Sequence, residues 1–118
     1  MNYRTTNTAE ARKFLAIYVE KCGVPKRVHE TASLLLEKVD RYNGVVGSYE
    51  LAGIPVRRTA DNLGFASMWH SSEKLGIKLM NGMSYAKMSQ MLGLKRESVR
   101  DAISDIGIVD SLVNLPEK

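Results

Sequence analysis

The chain has 118 residues, 44% hydrophobic and 25% charged, with a formal net charge of +4. That length and balance suit one domain with its own core and exclude wholesale disorder. The excess of cations favours an anionic partner, and no apolar run approaches the ~20 residues that span a bilayer, so no membrane partner is expected.

Residues 1–7 form a short polar lead without a secretory h-region, which points to an intracellular protein. Thr8 is placed to cap the helix that follows. Within it, Ala11, Phe14, Leu15, Tyr18 and Cys22 share one face at helical spacing. Cys22 reads as a buried, inert thiol. As the single cysteine it excludes an internal disulfide, and with His29 and His70 it falls short of the four ligands of a structural zinc site. No metal and no cofactor are expected. Gly23 ends the helix, and Pro25 suits the first turn of the next.

The second helix has the clearest period: Val28, Ala32, Leu35, Leu36, Val39 and Tyr42 line one face. Lys26, Arg27, Glu30, Glu37, Lys38 and Arg41 fall on the other. Asn43 and Gly44 stop it. From Gly44 to Pro55 the chain reads as a connector; its glycines lack the Gly-Lys-Ser/Thr of a phosphate loop.

Thr59 to Lys74 reads as a third helix, apolar around most of its circumference and therefore central and buried. Trp69 and His70 read as a core aromatic beside a hydrogen-bonded histidine in preference to a ligand pocket. Gly76 ends this helix.

Two short helices joined at Gly93 follow. Ser84 can cap the first, and Met83 with Met88 can staple its start. Gly93 stands where the chain must turn left-handed, and Lys95 and Arg96 open the second helix. Val99, Ala102 and Ile103 should face the core. Such a layout is a helix-turn-helix, whose second helix can enter the major groove. Charge supports it. Lys74 to Arg100 holds six cations and one acid, whereas Asp101 to Lys118 holds four acids and one lysine. No strand-like alternation appears. The expectation is an all-α single domain over 1–118, with about five helices around a buried central helix. The helix-turn-helix occupies about 84–106. An apolar tail, 107–118, can pack on the core or pair two copies as a homodimer.

The segment from Gly23 to Val39 resembles the second helix of a repeat in transcription factor IIB and its archaeal counterpart, with Pro25, Val28, Ala32, Leu35, Leu36, Lys38 and Val39 at the patterned positions. Thr59 to Gly76 looks like that repeat's central third helix, and Ile77 to Ile103 like its closing helix-turn-helix. The resemblance covers roughly residues 9–106 and implies one cyclin-type repeat. The family carries two repeats and a cysteine-rich zinc ribbon. This chain has the length of one repeat and a single cysteine, which implies a stand-alone repeat without ribbon-mediated polymerase recruitment. Lys95 stands where the family has a capping Ser or Thr.

These residues imply a mechanism. Lys95, at a helix N-terminus, suits a phosphate. Arg96 and Arg100, four apart on one face, can reach base edges or phosphates. Glu97 and Ser98 are secondary candidates for base contact, Ser84 and Lys87 for the DNA backbone. Arg57 and Arg58 are candidates for a second phosphate contact. The expected function is sequence-specific binding of double-stranded DNA by a transcription regulator. The competing reading is a cyclin-like protein-interaction module of the transcription machinery, using Met80, Met83, Met88, Met91 and the tail, unless those methionines fill the core. No Ser-His-Asp or Cys-His set is suggested, so an enzyme is not expected.

Overall fold

The computed structural model describes residues 3–41 and 59–112, with side chains from 8 to 40 and from 59 to 111. The connector 44–55, Tyr42, Arg57, Arg58 and the tail beyond 112 lie outside the described residues. Among the described residues there are five α-helices, α1 (Tyr3–Cys22), α2 (Lys26–Arg41), α3 (Ala60–Leu75), α4 (Tyr85–Met91) and α5 (Arg96–Leu112), with a 3-10 turn at Met80–Gly82. The described residues contain no strand.

One-sided burial explains the helices. On α2, Val28, Ala32, Leu35, Leu36 and Val39 are all buried, as the period predicts. Each such Val or Leu contributes roughly 1.5–3 kcal/mol by leaving water. Ala11, Leu15, Tyr18 and Cys22 do the same for α1, and burial pushes the Cys22 thiol up from its ordinary pKa. Tyr18 is pushed up to about 12 by burial and then by the charge of Asp61. In α3 the six successive residues from Leu63 to Met68 are buried, because α1, α2 and α5 all pack on it. A helix enclosed on several sides has no polar stripe to show. Two of its three buried serines turn back on the helix: Ser67 donates to the Gly64 carbonyl at 2.9 Å and Ser72 to that of Trp69 at 2.7 Å, while the Ser71 hydroxyl meets no partner among the described residues.

The α1–α3 crossing depends on Gly64. A Cβ there would lie 2.8 Å from the Ala11 carbonyl oxygen and 3.0 Å from the Leu15 nitrogen, both backbone atoms. Glycine to alanine inside a helix ordinarily gains about 0.5–1 kcal/mol. Here Gly64→Ala is expected to reverse that sign and cost about 1–3 kcal/mol, through helix displacement. The check is urea unfolding: the midpoint should fall at unchanged slope, and a higher midpoint would contradict the close crossing.

Two boundaries differ from expectation. The first helix starts at Tyr3, so residues 3–7 are helical and Thr8 is not its cap. Thr8 is buried, and its hydroxyl donates to the Asp40 carboxylate of α2 at 3.3 Å. A tertiary partner thus takes the hydroxyl that would otherwise cap backbone N–H groups. At the other end, α5 does not stop near 106 but runs to Leu112, absorbing the first residues of the supposed tail. Glycine disfavours a helix interior by about 1 kcal/mol. At Gly107 burial on either side, at Ile106 and Val109, outweighs that. Ile106 and Val109 belong to the core, which removes them from any homodimer surface.

Asp110 fixes the far end of α5. Lys38 of α2 reaches it at 2.6 Å, Lys74 of α3 at 3.0 Å and His70 of α3 at 3.1 Å. Lys38 also donates to the Asp110 carbonyl at 3.3 Å. Burial alone would raise the Asp110 carboxyl; hydrogen bonds from Lys38, Lys74 and His70 outweigh it and hold the group down at about 2. Lys38, expected on a solvated face, is instead only 15% exposed.

Candidate nucleic-acid interface

The helix pair is built from local rules. Ser84 caps α4, its hydroxyl accepting the Lys87 N–H at 3.2 Å. The short helix is held to the core by Met88 and Ser89, both fully buried. Aromatic rings continue that anchorage: Trp69 meets Tyr85 edge-on at 6.0 Å, and Phe65 stacks on Trp69 at 6.5 Å. At the turn Gly93 has φ 78°, the left-handed region that a side chain disfavours. Leu94 N–H bonds the Ser89 carbonyl at 2.8 Å and Gly93 N–H that of Gln90 at 3.1 Å. This paired closure satisfies carbonyls at the end of α4 and redirects the chain. The ends of α1 and α3 close in the same way. Helix α5 then begins at Arg96, with the Lys95 carbonyl accepting from Val99 N–H at 3.0 Å.

The inner face of α5 is as expected: Val99 and Ala102 are fully buried and Ile103 packs against the core. That fixes the outer face. Lys95, Arg96, Glu97 and Arg100 are exposed, as are Ser84 and Lys87, while Ser98 is half-buried. A groove of about 340 Å³ separates α4 from the start of α5. Ala86 and Gln90 line one side, Arg96 and Glu97 the other. Gln90, exposed and facing the same groove as Arg96, escaped the sequence reading. Its signal was its place in α4 just before the turn, and a glutamine amide can pair with an adenine edge.

No family model, curated protein or solved structure matches the chain. What the surface can do therefore follows from its own chemistry. Lys87, Lys95 and Arg96 form no ion pair among the described residues, and Arg100 faces Asp101 at 3.7 Å on the surface. Unpaired cations beside a helix N-terminus form an attractive field for phosphate. Lys74, part of the same run of cations in sequence, is drawn away to Asp110.

The methionines do not form a surface. Met88 is buried, Met80 and Met83 pack partly on the core, and Met91 alone of the four is exposed, at 54%. Among the described residues no group of three His, Cys, Asp or Glu is placed to hold a metal, and no helix is long and apolar enough to cross a membrane.

Proposed function

We propose that the chain binds double-stranded DNA sequence-specifically, reading the major groove with the N-terminal half of α5, and that it regulates transcription. The observation that carries this reading is the exposed face of Lys95, Arg96, Glu97 and Arg100 at the start of a helix whose opposite face is locked in the core. Such a helix can be inserted in a groove without losing its own packing. Lys95 meets phosphate; Arg96 and Arg100 pair with guanine edges; Glu97 accepts from cytosine; Ser84 and Lys87 hold the DNA backbone. Ser98, half-buried, is left a lesser part at the edge of the interface. The likeness of residues 23–39 to transcription factor IIB repeats supports the transcription context. The DNA reading itself rests on α4, the turn and α5.

The test is selection of duplexes from a random pool, followed by a salt titration on the selected site. Affinity should fall linearly on a log–log plot, with a slope of about −0.9 for each phosphate neutralised. Absence of duplex binding at low salt would overturn the reading and favour a protein-interaction role.

A further inference from the structure

A second concave surface lies where α3 ends and the chain turns toward α4. It is an open cleft of about 320 Å³. Trp69, Ile77, Leu79 and Met83 supply its apolar lining, and Glu73 and Lys78 bring one charge of each sign. Both charged side chains are exposed and unpaired among the described residues. Trp69 is half-buried, and its indole N–H meets no acceptor among the described residues. The turn between Leu79 and Met83 is strained. Met80 at φ 48° and Asn81 at φ 61° are consecutive non-glycine residues in the left-handed region, followed by Gly82 at φ 86°. Runs of this kind are disfavoured in L-peptides and concentrate at ligand clamps and switch segments.

We propose that this cleft binds a small zwitterion with an apolar side chain, the chemistry of a free apolar α-amino acid. The volume lies at the low end of the ~300–1,000 Å³ usual for ligand sites, which suits one compact molecule rather than a nucleotide or a docked helix. Opposite charges on the lining favour a zwitterion over a simple anion or cation. The ligand's apolar group lies on Trp69, Ile77 and Met83, its ammonium meets Glu73 and its carboxylate meets Lys78. The strained turn leads directly into Ser84, so the bound molecule touches the segment that sets the approach of α4.

Trp69 is the single tryptophan of the chain, so its fluorescence reports on the cleft. Titration of the full chain with L-leucine, L-methionine and L-phenylalanine is expected to give a saturable change at millimolar concentration or below. N-acetyl-L-leucine and L-leucinamide each lack one charge and should bind roughly tenfold more weakly or worse. Glu73→Gln and Lys78→Met should each weaken L-leucine binding to a similar extent, with an unchanged thermal melt. Three outcomes overturn the proposal: no saturable change with any of the three amino acids, blocked forms that bind as well as free L-leucine, or full affinity in both variants. No DNA enters the measurement, so the result stands apart from the DNA-binding reading.

Discussion

Replacing both Lys95 and Arg96 by alanine is expected to reduce affinity for a selected duplex by roughly 30- to 1,000-fold while leaving the melting temperature unchanged. The first half follows from two contacts of different kinds. A bidentate arginine–guanine pair discriminates by ~1–3 kcal/mol, which is roughly 5- to 150-fold in affinity. Loss of a phosphate contact adds a further factor and flattens the salt slope by about 0.9. The second half follows from exposure, since neither side chain packs on the core or holds an ion pair among the described residues. The molecule supplies its own control. Helix α2 also opens on a basic pair, Lys26 and Arg27, both exposed. Alanine at that pair removes the same charge from a different helix start. If general attraction for a polyanion were all that operates, the two double variants would lose affinity equally. Sequence reading by α5 requires that the Lys95/Arg96 variant lose far more, and that only it lose discrimination between selected and random duplexes. Anisotropy titrations of both variants on both duplexes decide between these outcomes. Gln90→Ala extends the test across the groove, relaxing preference at one base position without changing the salt slope.

The parts of this surface that were legible in the amino-acid order are those set by short-range rules. Ser84 as a cap, Gly93 as a left-handed turn, and the division of α5 into buried Val99 and Ala102 against exposed Arg96 and Arg100 need only a few neighbouring residues. The period of α2 was legible for the same reason, because one flank is buried and the other is wet. What stayed hidden depends on partners far along the chain. Lys38 and Asp110 are separated by 72 positions, and each alone resembles an ordinary solvated charge on a helix. Thr8 resembles a cap until Asp40, 32 positions away, is brought beside it. Gly107 resembles a stop signal, but it lies 3.6 Å, measured from the Cβ position it lacks, from the His70 ring, and the helix continues past it. At Trp69 the sequence favours a core aromatic over a ligand pocket, and although Asn81-Gly82 marks a turn, nothing local announces the left-handed Met80 before it.

Asp110→Asn should be strongly destabilising, and its cost should depend on pH. The carboxylate gathers two lysines and a histidine from two helices, and Lys38, only 15% exposed, loses its charge partner when the carboxylate is removed. Breaking a buried pair from one side costs about 3–5 kcal/mol; partial exposure here brings that to roughly 2–4 kcal/mol. Lys74 is 48% exposed and its own removal should be nearly neutral. The pH dependence follows from the sign of the shift. Asp110 titrates at about 2 in the fold against an ordinary 3.8, so its stabilisation is complete above 3.8 and is lost as pH falls toward 2. A gap of that size corresponds to roughly 2 kcal/mol. The wild-type chain should therefore shed that much stability across this window, and Asp110→Asn should show a shallower acid limb. Parallel acid limbs in the two proteins, followed by chemical denaturation at fixed temperature, would refute the assignment. The pairing can be confirmed by exchange of both partners: Lys38→Met with Asp110→Leu removes two charges together and should recover most of the loss, because a well-packed apolar pair often matches a buried ion pair. Asp110 lies roughly 20 Å along α5 from Arg96. Below its lowered melting temperature the Asp110→Asn variant should therefore bind duplex DNA as the wild type does, which separates the residue that anchors the helix from the residues that read with it.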